Sequence, residues 1–339
     1  MPQAPLCRPR PAHETIFNVI VAGLLHEGIM PSGSIIDVGA LEGEFSCYYA
    51  ALAPSRKVHA MDPLASNVEH FTKLYSSSHP NIAPMVGALG ERRATIPSAG
   101  VVKHKVSQRQ GGALTLMTGI TDAAATAQKK NERGGRAAKA QLTSEPSAPM
   151  IEIYTADELF DTAWKGETLG FAHVDVEGSE LAVLKGMEKT LRRDRPVFSF
   201  EVHVHFSLGF TAELMRFVEQ LGGYEVWLIE EACGMRMDCR NLLALPRGLG
   251  RSSNTLELAR ASKVLLKVDT DTLAHHAYPC CREGGGCCPM GSRGARDVGH
   301  PSCCSWNTVR GFLRRTLPPS AWVNGTQRIE PWIAHSGPW

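Results

Sequence analysis

SIIDVGALEGEFS, residues 34–46, opens with two β-branched isoleucines, runs into Asp37, Val38 and Gly39, and passes Gly43 into a segment of helical character. That order predicts a short buried strand, a glycine turn and a helix. A glycine turn lets backbone approach a ligand, and the helix behind it offers unpaired N–H groups and a positive dipole end. Residues 57–62, KVHAMD, read as a second strand ending in an acid 25 residues beyond Asp37, where a ribose-binding carboxylate is expected in a nucleotide fold. Counted from Gly39, the second glycine position of a pyrophosphate fingerprint is Leu41, and the third is not glycine either. A dinucleotide is therefore disfavoured.

Outward from this turn the pattern alternates strands and helices. A helix over 15–27 precedes the first strand, 44–52 is the first crossover helix, and a helix follows Pro63 over about 67–75. Residues 82–89 read as a third strand, which completes a βαβαβ half with its ligand edge at the carboxyl ends of the strands. Beyond an irregular stretch, residues 151–154 and 170–176 read as strands, 179–191 as one amphipathic helix, and 196–206 as a strand, VFSFEVHVHF after Pro196. A helix over 211–221 and two short strands at 224–230 and 241–245, joined by a tight loop that suits an antiparallel pair, close the pattern. The fold class expected is α/β, a Rossmann-like sheet of seven strands with the last antiparallel and helices on both faces.

Charge divides the chain. The total is +2, yet residues 1–90 and 150–246 together hold fourteen basic against twenty-four acidic residues, while 91–149 and 247–339 each carry +6. The expected domains are a disordered start over 1–14, a folded unit over 15–246 with a basic low-complexity insertion at 119–149, and a Cys-, Gly- and Pro-rich irregular or disordered tail over 247–339. The insertion has no aromatic residues between its charges, so nucleic acid is not expected as a partner. No apolar run reaches about 18 residues and the start lacks the apolar stretch of a secretory leader; a soluble intracellular protein is expected, with organelle targeting left open. Of ten cysteines only Cys47, Cys233 and Cys239 fall in the expected core, and no disulfide framework is expected there. The six tail cysteines, spaced CC-x5-CC-x14-CC, lack the C-x2-C pairs usual for zinc.

SIIDVGALEGEFS, VHAMDP, HVDVEGSELAVLKGMEKTL and RPVFSFEVH, in that order, resemble the FkbM family of S-adenosylmethionine-dependent methyltransferases over roughly residues 15–246 with the insertion removed. The resemblance implies a seven-stranded methyltransferase sheet and chiefly O-methylation of small molecules and sugars. It implies Asp37, Gly39 and Gly43 as cofactor residues and Asp62 as the ribose-binding acid. The family commonly has Asn where this chain has Leu41. Read without the family, Asp37 is a turn-stabilising acid and Asp62 a cap before Pro63.

The remaining candidates gather at the same sheet edge. Asp175 and Glu177 close the fourth strand and are the catalytic candidates together with His203; an acid such as Glu177 near a helix start is also a favourable dipole position. Glu201, His203 and His205 alternate along strand five and share one face, which assigns Glu201 and His205 to the acceptor pocket. With Asp175 these side chains offer oxygen and nitrogen ligands for a divalent metal, but carboxylates cluster in metal-free pockets too, and the reading taken is metal-free. Glu180, Lys185 and Lys189 read as solvated helix charges. Three functions stay open: an active O-methyltransferase using S-adenosylmethionine on a small-molecule or glycan hydroxyl, a methyltransferase fold serving as a silent binding module, and a Rossmann-type oxidoreductase disfavoured by the missing glycines.

Overall fold

The computed structural model describes residues 7, 14–97, 150–203, 208–232, 239–249 and 251–270. Its helices are α1 (Thr15–His26), α2 (Glu44–Leu52), α3 (Ala65–Tyr75), α4 (Ala156–Asp161), α5 (Glu180–Lys185), α6 (Glu188–Asp194), α7 (Leu208–Leu221) and α8 (Asn254–Ala261). The strands are β1 (Ser34–Val38), β2 (Val58–Asp62), β3 (Ile82–Val86), β4 (Ala88–Leu89), β5 (Ala94–Pro97), β6 (Met150–Tyr154), β7 (Leu169–Val174), β8 (Val197–His203), β9 (Tyr224–Ala232), β10 (Cys239–Pro246) and β11 (Leu265–Val268).

The main sheet has the order β11-β9-β10-β8-β7-β1-β2-β3. Its centre is parallel, with β1 between β2 and β7 and β8 beyond β7. β10 runs antiparallel to both β8 and β9, as expected of the seventh strand. Strands covered on both faces favour apolar residues on both, and β1, β2 and β7 are buried throughout. Because side chains alternate, Ile35, Phe171, Val197 and Leu243 face α1, α2, α3 and α8, whereas Ile36, Ala172, Val174 and Phe198 face α4 to α7. The α/β sheet with helices on both faces is Rossmann-like.

Four features differ from the sequence reading. Residues 82–89 are two strands, since Gly87 at φ 148 breaks the run and hands β4 to a second sheet of order β4-β6-β5. Residues 179–191 are two helices, because the break at Gly186 lies against the Gly90 carbonyl, where a Cβ would stand 1.9 Å from the oxygen. The folded unit runs past 246: α8 and an eighth main-sheet strand, β11, pack with Leu256, Ala259, Val264 and Leu265 in the core. Finally, Cys7 and Cys47 form a disulfide spanning 40 residues, with His79 beside it, so the start of the chain is tied to α2. The 119–149 insertion, the six tail cysteines and His205 lie outside the described residues. Among the described residues no helix is long and apolar enough to cross a membrane.

Candidate active site

The parallel strands end at one edge, and the turn after β1 is built onto its neighbours. Gly39 and Ala40 donate their N–H groups to the Met61 carbonyl at 3.0 and 2.9 Å, and Asp175 N–H donates to the Val38 carbonyl at 3.1 Å. Gly39, at φ 88, has no room for a side chain, since a Cβ would stand 1.9 Å from the backbone carbonyl oxygen of Asp175. Gly43, at φ 74, meets the Phe71 side chain in the same way. Both glycines are thus required by close packing and by a left-handed backbone, before any ligand is considered.

Asp62 closes β2 and braces this turn. Its Oδ2 accepts from Leu41 N–H at 2.9 Å, and its Oδ1 accepts from Leu64 N–H at 2.9 Å and Asn67 Nδ2 at 3.0 Å. A carboxylate has about four acceptor positions, so among the described residues these bonds leave one on Oδ2. Burial raises the Asp62 pKa, against the lowering effect of its hydrogen bonds to Leu64, Asn67 and Leu41.

Asp37 faces inward. Its carboxylate accepts from Ser46 Oγ and from His173 Nδ1, the latter at 2.9 Å across the β1–β7 ladder. The His173 ring is enclosed by Phe45, Phe17 and Tyr49 at centroid distances of 4.7, 5.3 and 5.8 Å. Burial disfavours its charged form, but the Asp37 bond and the charges of Asp37, Asp175 and Glu14 outweigh burial and raise its pKa.

Beyond this pair lies an acidic cluster. Asp175 is half-buried after β7, Glu177 is exposed at φ 55, and Glu201 on β8 is 9% exposed. One carboxylate oxygen from each lies within 4.8 Å of the others. Burial, then the charge of Asp175 and a hydrogen bond to it, then Glu177 and Glu180, raise Glu201 well above the usual carboxylate range. Two carboxylates this close cannot both ionise cheaply, and the upward shift falls on Glu201.

Two acids were missed as site residues. Glu180, read from the sequence as a solvated helix charge, is 1% exposed; its Oε1 accepts from Gly178 N–H at 2.8 Å and Val176 N–H at 3.2 Å, clasping the turn that carries Glu177. Burial and then, beyond the lowering effect of those backbone bonds, the charge of Asp175 push its pKa up to about 8. Glu14, placed by the sequence reading in a disordered start, is 7% exposed at the N-cap of α1 and accepts from Asn241 Nδ2. Asn241 stands opposite Glu201 in the β8–β10 ladder, which sets Glu14 beside the cluster. Burial and the charge of Asp175 raise Glu14 to about 7. His203 ends β8 opposite Cys239. An acid directly before an apolar helix, and a histidine inside the apolar run of β7, were the available sequence signals for Glu14 and His173.

Leu41 is the strained point of the turn. It is 50% exposed and sits at φ 49, where a side chain costs about 1–2 kcal/mol and Asn is better tolerated. Leu41→Asn is expected to raise stability by about 1 kcal/mol, measured as a higher denaturant midpoint at unchanged slope. A lower midpoint would show that packing by Leu41 outweighs the strain.

The sequence profile described as the methyltransferase FkbM domain matches residues 37–236, more than half of the chain. Among solved structures, the methyltransferase FkbM from Methylobacillus flagellatus KT is similar at 16% identity and TM-score 0.41, covering 63% of this chain and 43% of that one. The precorrin-6y C5,15-methyltransferase from Geobacter metallireducens GS-15 is similar at 10% identity and TM-score 0.35, covering 68% and 86%. The CcbJ methyltransferase from Streptomyces caelestis stands at 12% identity and TM-score 0.24, covering 57% and 55%. The chain thus spans less than half of the first of these structures. No curated protein matches the sequence.

Proposed function

The chain belongs to the methyltransferase FkbM domain family, and on that premise we propose that it transfers the methyl group of S-adenosylmethionine to a hydroxyl oxygen of a small molecule or sugar. The observation that carries the cofactor is the character of the glycine turn: residues 37–46 hold Asp37, Glu42 and Glu44 and no Lys or Arg, and Asp62 behind them keeps one acceptor position unfilled among the described residues. Such a donor set repels a pyrophosphate and fits a phosphate-free nucleoside carrying positive charge. Asp62 would receive a ribose hydroxyl on Oδ2. The glycine turn, Gly39 to Gly43, would lie along the amino-acid part, and Asp37 would act from behind by holding Ser46 and His173.

When bound, the cofactor supplies a methyl carbon on a sulfonium, which an acceptor oxygen displaces in line without need of an acid for the leaving group. The chain's own task is then alignment, worth roughly 7–11 kcal/mol in oriented systems, and acceptance of the hydroxyl proton, worth about 10²–10⁴ in rate. Asp175 is the assigned base. It stands beside Glu201, whose pKa burial and the charge of Asp175 raise, at the edge where the parallel strands end. Glu177 stands at the exposed rim of the cluster, where an acceptor enters, and His203 ends the neighbouring strand.

Calorimetry with S-adenosylhomocysteine tests the reading. Saturable binding is expected, and Asp62→Asn should weaken it about tenfold or more, the scale of a lost charge-assisted hydrogen bond, with an unchanged circular dichroism spectrum. Binding that ignores the substitution removes Asp62 from the cofactor site. No binding at all would leave a silent module on a methyltransferase fold.

A further inference from the structure

We propose that Asp175, Glu177 and Glu201 form a binding site for one hard divalent cation of the Mg²⁺ or Ca²⁺ type. Three carboxylates from two adjacent strand ends bring one oxygen each to within 4.8 Å of the others. Metal–oxygen distances of about 2.1 Å for Mg²⁺ and 2.3–2.6 Å for Ca²⁺ place ligand oxygens up to about 4–5 Å apart, so the spacing suits either ion without rearranging the backbone. The donors are all carboxylate oxygens, with neither imidazole nor thiolate in the set, which selects a hard cation over zinc or copper.

Proximity of acids alone would not make a site. The second observation is Glu180, whose Oε2 is sealed from solvent and has no hydrogen-bond partner among the described residues. Its other oxygen holds the N–H groups of Val176 and Gly178, on either side of Glu177, so the carboxylate lies beneath the turn that presents Asp175 and Glu177. It is close enough to Asp175 and Glu201 to be coupled electrostatically to both. A fold that seals a carboxylate oxygen behind three others sets up a cost that a bound cation offsets. Glu180 then supplies negative charge behind the ligands while its Oε1 fixes their turn. Glu177 is exposed at φ 55 on that same turn, with Gly178 following at φ 94, so a cation held here would keep a side open to water or to an acceptor oxygen.

The link to chemistry rests on the methyl-transfer reading: a cation here would polarise the acceptor hydroxyl beside Asp175. The binding itself does not depend on that reading, and it is measured without cofactor or acceptor. The probe is Mn²⁺, added to the full chain and followed by the electron paramagnetic resonance signal of the free ion. One equivalent is expected to bind and to be displaced by Mg²⁺ or Ca²⁺. Glu177→Gln should weaken binding at least about tenfold; because Glu177 is exposed, this variant keeps the fold. Asp175→Asn and Glu201→Gln should remove the site. Glu225→Gln, a surface acid paired with Lys267, should leave it unchanged. No saturable Mn²⁺ up to about 1 mM, or wild-type affinity in Glu177→Gln, overturns the proposal whether or not S-adenosylhomocysteine binds.

Discussion

A chain ending at Arg251 is expected to fail to fold, although it keeps every strand that the sequence places in the domain. The segment beyond Arg251 is tied to the start of the fold. Glu27, just past α1, accepts from Ser253 Oγ at 2.6 Å, Thr255 Oγ1 at 2.7 Å and Thr255 N–H at 2.9 Å, and so caps α8 from another helix. Gly23 within α1 admits this helix, since a Cβ there would stand 2.2 Å from Thr255 Oγ1. Leu256 and Ala259 then enter the α1 side of the core, and β11 covers the edge of β9 with Leu265 opposite Ile229. Removing Leu256, Val264, Leu265 and Val268, all buried, forfeits about 1.5–3 kcal/mol each. Even discounted for a compact unfolded chain, that total rivals the roughly 5–15 kcal/mol by which a domain is stable. The β9 edge, rich in apolar residues, would also be left open to other chains. A chain ending at Thr270 keeps all of these contacts. Expressed side by side, 1–270 should unfold cooperatively near the full-length midpoint and 1–251 should be insoluble or lack a transition. A cooperative transition for 1–251 near the wild-type midpoint would refute this account.

The sequence missed this segment for a physical reason. Residues 254–268 carry a Ser253 cap, helical apolar spacing and a VLLKV strand, but they come after a Pro- and Gly-punctuated stretch and share a tail whose composition is dominated by later cysteines and glycines. Averaging over the tail hid two ordinary elements. The central strands were legible because burial on both faces favours largely apolar runs, and the glycine turn was legible because its close approaches at Gly39 and Gly43 demand glycine locally. What depended on distant contacts was not. Nothing near Gly186 announces Gly90, and nothing near Cys7 announces Cys47. The acids divide along the same line. Asp62, Asp175 and Glu201 lie at or near the ends of strands of the apolar pattern, so topology alone carries them to the ligand edge. Glu14 and Glu180 sit at helix starts, where acids are ordinarily solvated and favourable, and only the tertiary fold buries them.

That burial has a consequence for pH. Free carboxyls titrate near 4.5, whereas Glu14 is raised to about 7 and Glu180 to about 8, in both cases chiefly by burial and with Asp175 adding repulsion. Between these values the folded chain holds protons that the unfolded chain has released, so stability falls as pH rises. The cost is absent below about pH 4.5 and complete only above about pH 8, at a scale of roughly 3 kcal/mol for Glu14 and 5 kcal/mol for Glu180. His173 acts in the same direction. Its pKa is raised by Asp37 and the nearby acids in spite of burial, so the stability it lends is present at low pH and lost as the imidazolium deprotonates. Denaturant unfolding between about pH 5.5 and 8.5, with a chelator present to exclude cations, should therefore show stability declining by several kcal/mol towards alkaline pH. Glu180→Gln keeps an oxygen for Gly178 and Val176 while replacing the sealed Oε2 by an amide that donates towards the acids. It should raise the midpoint at about pH 8 and flatten the profile, whereas Glu225→Gln, an exposed pair partner, should leave the slope as it is. Stability that is level or rising across this range in the wild-type chain would mean that Glu14 and Glu180 are hydrated, and the sealed acidic layer beneath the Glu177 turn would have to be abandoned.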